Sequence, residues 1–319
     1  MFMSYKIPIL FITYKRFRTA SLVFKQIKKI KPKILYFANN YPENKKDINN
    51  VKKVQLLLKQ VNWKCKVVKI FQKKHLPVSK SIPKAIDYFF KYEKEGIILE
   101  DDCLPSQDFF YFCKLMLNKY RNNKNINAIC GSRFVRNGKD IYFSKYNHAW
   151  GWATWKRSWK NFDPRIKFWN KWKNSNDWNK FHENTLEKTY WSNIFNLTYK
   201  GKINTWDYAW TATAWYNKQL SVIPPVNLIS NIGFGPDATW TVQSKYNDTR
   251  KLSKLKRKIL FKKVIQNKIN DLKVFNNHFN KNNHLKSSRI ARHLKTLILD
   301  PKTIFLKIKR ELKNAKKNY

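Results

Sequence analysis

The chain has 319 residues, 43% of them hydrophobic, enough for one large domain or two closely packed lobes and too apolar for a disordered protein. Its formal net charge of +46 points toward an anionic partner, yet Lys, Asn, Ile, Phe and Tyr are abundant while only 7 residues are Gly. That profile follows A/T-rich codon usage, so charge alone specifies no nucleic acid, membrane or polyanionic substrate.

In chain order, Ile7 to Thr13 reads as a buried first strand and Tyr14-Lys15-Arg16 as the loop that ends it. This apolar run lacks a small-residue cleavage site and is far shorter than the roughly 20 residues of a spanning helix, so no secretory or membrane-spanning segment is expected. Ala20 to Ile30 has helical spacing. Lys33 to Phe37 is a second strand, closing on the turn-rich Ala38-Asn39-Asn40-Tyr41-Pro42. Val51, Val54, Leu57, Leu58 and Val61 give Asn44 to Val61 a helical face, Cys65 to Phe71 is a third strand, and Pro83 to Tyr92 is a further helix.

Gly96 to Leu99 then forms a strand that runs straight into Glu100-Asp101-Asp102. With 66 Lys+Arg against 20 Asp+Glu, three adjacent carboxylates at a strand end suit a cation or a polyhydroxyl ligand. A solvated turn that favours the N-terminus of the following helix is the competing reading. Phe109 to Tyr120 is that helix, and Asn127 to Gly131 a fifth strand. Strands alternating with helices imply a doubly wound α/β sheet with right-handed crossovers, so the loops at Arg16, Asn39 and Glu100 to Asp102 gather on one rim.

Beyond Ser132 the chain turns aromatic, through His148-Ala149-Trp150-Gly151-Trp152-Ala153-Thr154-Trp155 and on to Trp159, Trp169, Trp172 and Trp178; most of the 13 tryptophans lie here. Indole faces suit sugar stacking, and a second aromatic core is the plain alternative. Asn204 to Trp210 opens another helix, with Thr205 as its cap and Asp207 in its first turn. Val222-Ile223 is a strand that leads into a loop reaching Thr239. Five of the 7 glycines, Gly96, Gly131, Gly151, Gly233 and Gly235, fall in or beside these stretches, as close backbone approach requires.

Residues 245–319 hold 23 Lys+Arg and 4 Asp+Glu, roughly twice as basic per residue as the rest. Leu252, Leu255, Ile259, Leu260, Val264 and Ile265 recur at helical spacing among lysines, and Thr303 to Leu312 repeats the pattern. Two readings stay open: an interfacial helix on an anionic leaflet, or a packed helix with a solvated face. Cys65, Cys103, Cys113 and Cys130 show neither metal-type pairing nor a disulfide framework and read as buried thiols in a reducing compartment.

Three blocks in order carry a resemblance over roughly residues 5 to 242: Ile97 to Phe112 (IILEDDCLPSQDFFYF), His148 to Trp159 (HAWGWATWKRSW) with Trp206-Asp207, and Pro225 to Thr239 (PVNLISNIGFGPDAT). With these the chain resembles a glycosyltransferase of the GT-A fold. It is similar to a bacterial sugar-transferase-like family whose members sometimes carry a hemolytic-protein label, and distantly to N-acetylglucosaminyltransferase I.

The resemblance implies an α/β fold, a GT-A-type, doubly wound mixed sheet flanked by helices, to which the charge and spacing of the last residues add a basic helical C-terminal tail. It divides the chain into a transferase domain, 1–244, and a basic extension, 245–319. The transferase domain comprises a nucleotide-sugar half, 1–131, and an aromatic acceptor-side half, 132–244. Asp102 is implied to bind Mn²⁺ or Mg²⁺ against the departing diphosphate, while Glu100 and Asp101 accept hydrogen bonds from donor hydroxyls. Asp207 is implied as the general base of an inverting transfer. Trp206, Gly233 and Gly235 are implied at the donor, with the Ser230 to Thr239 loop closing over it.

The chain departs from those relatives at Asn39-Asn40, in the loop where the resemblance places the reading of the nucleotide base and an Asp is usual, so that Asn39 is the donor-binding candidate there, and at Tyr14-Lys15-Arg16-Phe17, where Asn-Arg-Pro is common. Arg16 is then the candidate for a phosphate or base contact. Lys80 is either a diphosphate partner or a residue on a solvated helix face.

The partners expected are a nucleotide-sugar donor and a glycan or lipid-linked acceptor of bacterial surface-glycan synthesis. The expected location is cytoplasmic, with peripheral contact to the anionic inner face of the membrane through the C-terminal tail. Two other classes compete. A basic nucleic-acid-binding protein is disfavoured because it leaves the acidic triplet without a role. A catalytically silent member of the sugar-transferase fold stays open.

Overall fold

The structure, a computed structural model, describes residues 5–182, 184–234, 250–256 and 259–279. The chain divides into two compact units, Met1–Asp271 and Leu272–Tyr319. Of the stretch from residue 245 onward, the described residues 250–256 and 259–271 fall in the first unit.

The strands are β1 (Ile9–Thr13), β2 (Ile34–Asn39), β3 (Lys66–Phe71), β4 (Glu95–Glu100), β5 (Cys103–Pro105), β6 (Ile126–Cys130), β7 (Tyr142–Ser144), β8 (Trp152–Trp155), β9 (Leu220–Ile223) and β10 (Ile229–Asn231). Eight of them form one mixed sheet in the order β3-β2-β1-β4-β8-β6-β9-β7, and β5 pairs with β10 in a separate two-stranded sheet. The helices of the first half are α1 (Phe17–Ile30), α2 (Ile48–Gln55), α3 (Val78–Tyr92) and α4 (Gln107–Tyr120). The second half adds α5 (Lys156–Trp159), α6 (Trp169–Trp172), α7 (Asn176–Lys180), α8 (Thr185–Tyr199), α9 (Asp207–Tyr216) and α10 (Lys268–Val274).

Strands β1 to β4 are mutually parallel, as the βαβ alternation requires. Both faces of β1, β2 and β4 are buried, which is why these strands read as continuous apolar runs, whereas the edge strand β3 exposes Lys66, Lys69 and Phe71. Ile9, Phe11, Leu35, Phe37, Ile97 and Leu99 pack toward Val23, Phe24 and Ile27 of α1 and Phe109, Phe112 and Met116 of α4. The alternate residues Leu10, Tyr36 and Ile98 pack toward Ile82, Ile86 and Phe89 of α3 and toward Trp152, Trp159, Trp206 and Trp210. Ser106 caps α4, its hydroxyl accepting from the Phe109 N–H at 3.3 Å.

The run that reads as an aromatic lobe supplies β8, which lies antiparallel between β4 and β6. Here the tryptophans form a core. Trp152, Trp155, Trp159, Trp169, Trp178, Trp191, Trp210 and Trp215 are all buried, so they serve packing rather than sugar stacking. In the same stretch Trp150 is half-buried, its ring 5.2 Å from Phe134 and 6.1 Å from Phe234.

The helix expected over Leu252 to Ile265 is not formed among the described residues of that stretch. The segment lies against the domain instead: Ser253 N–H donates to the Asn227 carbonyl at 2.9 Å, and Leu255, buried, donates its N–H to Asp108 at 2.9 Å. Those long-range bonds replace the i to i−4 bonds that the apolar spacing alone suggests. Thr303 to Leu312 lies outside the described residues.

Candidate active site

The strand order reverses at β1: successive crossovers place β2 and β3 on one side of it, and β4 returns to the other. Such a switch point leaves a crevice beyond the C-terminal ends of the two central strands. Ile12 of β1 sits in register with Glu100 of β4, so the loop Tyr14-Lys15-Arg16 and the triplet Glu100-Asp101-Asp102 face each other there.

Arg16 joins the two loops. One of its terminal nitrogens donates to Asp101 Oδ1 at 2.5 Å and to Asp102 Oδ2 at 2.9 Å. Burial works against its charge, but the two carboxylates outweigh that and hold it firmly protonated. Asp101 is buried, and its other oxygen accepts the Tyr14 backbone N–H at 3.0 Å. Both oxygens are thus committed within the protein. The expectation that Asp101 contacts donor hydroxyls gives way to a positioning role for Arg16 and the β1 loop. Arg16, expected at a phosphate or base, is likewise spent on the triplet in this state.

Asp47, which sequence reasoning passed over, anchors the same loop from below, accepting from Tyr14 OH at 2.9 Å and from Lys15 Nζ at 2.9 Å. Burial would raise the Asp47 carboxyl, yet the bonds from Lys15 and Tyr14 hold it below the usual range. Its signal in the sequence was no stronger than that of a helix-opening acid.

Asp102 is half-buried. Among the described residues its Oδ1 receives only a long thiol contact from Cys103, at 3.4 Å. Glu100 is also half-buried, and its carboxyl is pushed well above the carboxylate range by burial, then by Asp102, Asp101 and Asp207. That last influence is informative. Asp207, from the first turn of α9 and far along the chain, stands close enough to act electrostatically on Glu100.

Burial raises Asp207 itself, moderated by the Thr205 hydroxyl, which donates to Asp207 Oδ1 at 2.5 Å, and by N–H groups of the helix start. Thr205 therefore orients Asp207 instead of capping α9, whose cap position is Trp206.

The two-stranded sheet supplies the roof. Ile232 N–H donates to the Asp102 carbonyl at 2.8 Å, bringing Gly233 directly onto the acid. A Cβ at Gly233 would lie 2.3 Å from Asp102 Oδ2, 2.7 Å from Asp102 Cβ and 2.8 Å from an Arg16 terminal nitrogen. Only glycine fits, so Gly233→Ala is expected to cost about 1–3 kcal/mol of stability through overpacking, measurable by urea unfolding. Gly235 lies outside the described residues.

Three further expectations resolve differently. Asn39 is buried and spends its side chain internally: Nδ2 donates to Thr13 Oγ1 and the Tyr14 carbonyl, each at 2.9 Å, and Oδ1 accepts from Gln55 Nε2 at 2.9 Å. It holds the strand ends together and has no amide left to read a base. Trp206 is buried with its ring stacked on Trp152 at 5.6 Å, a core residue rather than a donor platform. Lys80 is exposed on the first turn of α3, and among the described residues it makes no side-chain contact with the acids.

Among the described residues no three His, Cys, Asp or Glu side chains converge as a complete metal cage. The chemistry of the donor set nevertheless suits a hard cation held by one or two carboxylates and completed by ligand phosphate and water. Asp102 Oδ1, which among the described residues meets only the Cys103 thiol, and the Glu100 carboxyl beside it, raised by burial and by its acidic neighbours, mark where positive charge is lacking.

No protein-family model and no curated protein matches the chain. Similarity to solved structures is faint. HddC from Yersinia pseudotuberculosis is 10% identical, covering 48% of this chain and 77% of its own, with a TM-score of 0.30. The 4-diphosphocytidyl-2C-methyl-D-erythritol synthase of Anaerococcus prevotii is 10% identical over 60% and 83%, with a TM-score of 0.33. A UDP-glucose pyrophosphorylase in complex with UDP-glucose is 9% identical over 69% and 90%, with a TM-score of 0.32. Likeness at that level carries no argument about activity, and the functional reading rests on the site itself.

Proposed function

We propose that the chain is a divalent-cation-dependent, inverting glycosyltransferase of GT-A type. It would move a sugar from a nucleoside-diphosphate sugar to a hydroxyl of a bacterial surface glycan or its lipid-linked precursor. The observation that carries this reading is the meeting of Glu100-Asp101-Asp102, Asp207 and Gly233 at the switch point between β1 and β4. A solvated turn explains none of these long-range approaches.

In this reading Mn²⁺ or Mg²⁺ supplies positive charge toward the departing diphosphate. Asp102 holds that cation through Oδ1. Glu100, half-buried beside it, accepts from a donor hydroxyl. Arg16, bonded to Asp101 and to the other oxygen of Asp102, directs its charge at the same crevice. Asp207 receives the proton of the acceptor hydroxyl as that oxygen attacks the anomeric carbon from the face opposite the diphosphate. The backbone at Ile232-Gly233 covers one side of Asp102.

Thermal unfolding with a panel of nucleoside diphosphates, with and without Mn²⁺, tests the donor half. The wild-type chain is expected to gain stability only when both are present, about 2.7 kcal/mol at a ligand concentration 100 times its dissociation constant. Asp102→Asn is expected to abolish the gain. Absence of any nucleotide effect on the wild type would remove the enzyme reading in favour of a silent fold.

A further inference from the structure

A second surface of the first unit lies around β7, the segment that leads into α10 and the first residues of that helix. Phe143 of β7 bridges to Gln266, and the Asn267 N–H donates to the Phe143 carbonyl at 2.8 Å, so this segment runs beside the sheet edge. Between them is an open groove of about 500 Å³ whose rim includes Ile265, Ile269, Lys262, Lys263 and Lys268. Ile265 is 62% exposed and Ile269 is 70% exposed, values that fold stability does not explain. Leu260 and Phe261, next in the chain to the lysines, are 55% and 43% exposed. Lys262 pairs with Asp140 at 2.8 Å, while all three rim lysines are exposed to solvent.

We propose that this rim is a docking face for an anionic lipid bilayer, with the isoleucines entering the headgroup boundary and Lys262, Lys263 and Lys268 meeting lipid phosphates. Charge and shape select that occupant. Exposed aliphatic side chains between lysines gain from an acyl boundary, whereas a nucleic-acid surface uses aromatic platforms and arginine and gains nothing from isoleucine. A second copy of the chain would bring the same lysines face to face. The contact is made by a folded segment on the sheet domain, not by the amphipathic helix that the sequence spacing suggests.

The test is co-sedimentation of the full chain with vesicles of phosphatidylcholine alone or mixed with phosphatidylglycerol, at low and physiological salt. Binding to the anionic vesicles is expected, and Lys262→Gln/Lys263→Gln/Lys268→Gln should weaken it on the order of 100-fold, from about fivefold per lysine. Ile265→Ser/Ile269→Ser should weaken it at unchanged charge.

The control is Lys52→Gln/Lys53→Gln/Lys59→Gln, which removes the same charge from exposed positions on and after α2 and should change binding far less. Unaltered melting temperatures establish that each variant is folded. Equal losses in the two lysine triples would overturn the proposal in favour of diffuse charge. Unchanged binding in the isoleucine pair, or no preference for anionic vesicles in the wild type, would also overturn it. Preferential binding of duplex DNA that the lysine triple abolishes and the isoleucine pair leaves intact would assign the face to nucleic acid instead.

Discussion

Asp207→Asn is expected to slow sugar transfer by about 10²–10⁴-fold, the usual contribution of a positioned general base, while the nucleotide-dependent rise in melting temperature persists. The two readouts separate because Asp207 reaches the triplet from α9, whereas the cation and diphosphate are assigned to Asp102. A helix-end acid of no catalytic use would cost about 1 kcal/mol of stability or less and leave the rate alone.

The pH profile sharpens the distinction. Burial raises the Asp207 carboxyl above its ordinary value, so it loses its ability to accept a proton at a higher pH than a solvated aspartate does. The rate should therefore fall with acidification at a higher pH than a solvated aspartate would give, and the asparagine variant should lack the part of that limb that Asp207 causes. A variant with full activity and an unaltered profile would refute the assignment.

The second large effect concerns stability, at a charge centre inside the aromatic half. Lys145, 3% exposed, places Nζ 2.8 Å from Glu187 Oε1, itself 2% exposed. The same carboxylate accepts from the Tyr146 hydroxyl, and its other oxygen lies 3.3 Å from His182 Nδ1. The ammonium also sits over the rings of Phe181 and Trp215, at 5.0 and 5.1 Å from their centres. Glu187→Gln would leave a buried lysine with no carboxylate, a change that typically costs about 3–5 kcal/mol. Urea unfolding measures it, and Lys145→Met combined with Glu187→Gln should recover part of the loss, because the double variant strands no charge.

Acid sensitivity follows from the same pair. Burial alone would raise the Glu187 carboxyl, but His182, Lys145 and Tyr146 hold it down to about 2, against 4.5 for a free glutamate. Its contribution is complete above the free-glutamate value and disappears as the pH falls toward about 2. His182, which burial keeps neutral, adds a loss in the same direction below its ordinary value of 6.5. In Glu187→Gln the part of the decline that Glu187 causes should be missing.

The βαβ half was readable because each of its elements is locally consistent. Apolar runs buried on both faces, helical spacing in α1 to α4 and the Ser106 cap all point to the same topology. The acidic triplet announced itself by contrast with a basic chain. What sequence alone left out depends on partners far away in the chain. The spacing of Arg16 from Asp101 and Asp102 does not reveal that one guanidinium serves both acids.

Asn39 resembled a ligand-reading residue because its polarity sits at a strand end, yet Gln55 and Thr13 consume it. Trp206 illustrates the converse, since an indole suits a sugar or a core equally and only its stacking on Trp152 decides. The Lys145–Glu187 centre gave no signal, because a single lysine and a single glutamate 42 positions apart are indistinguishable from surface charges until α8 folds back.

The two-stranded sheet also bears on how the protein is built in time. Ile229 pairs with Pro105 and Asn231 with Cys103, across a separation of more than 120 residues. Closing so long a loop is entropically costly, and contacts of that range form slowly. The domain is therefore expected to assemble β1 to β4 before it acquires the glycine that covers Asp102. A chain still emerging from the ribosome would carry an exposed acid cluster until residue 233 arrives, and would become competent only at that late step.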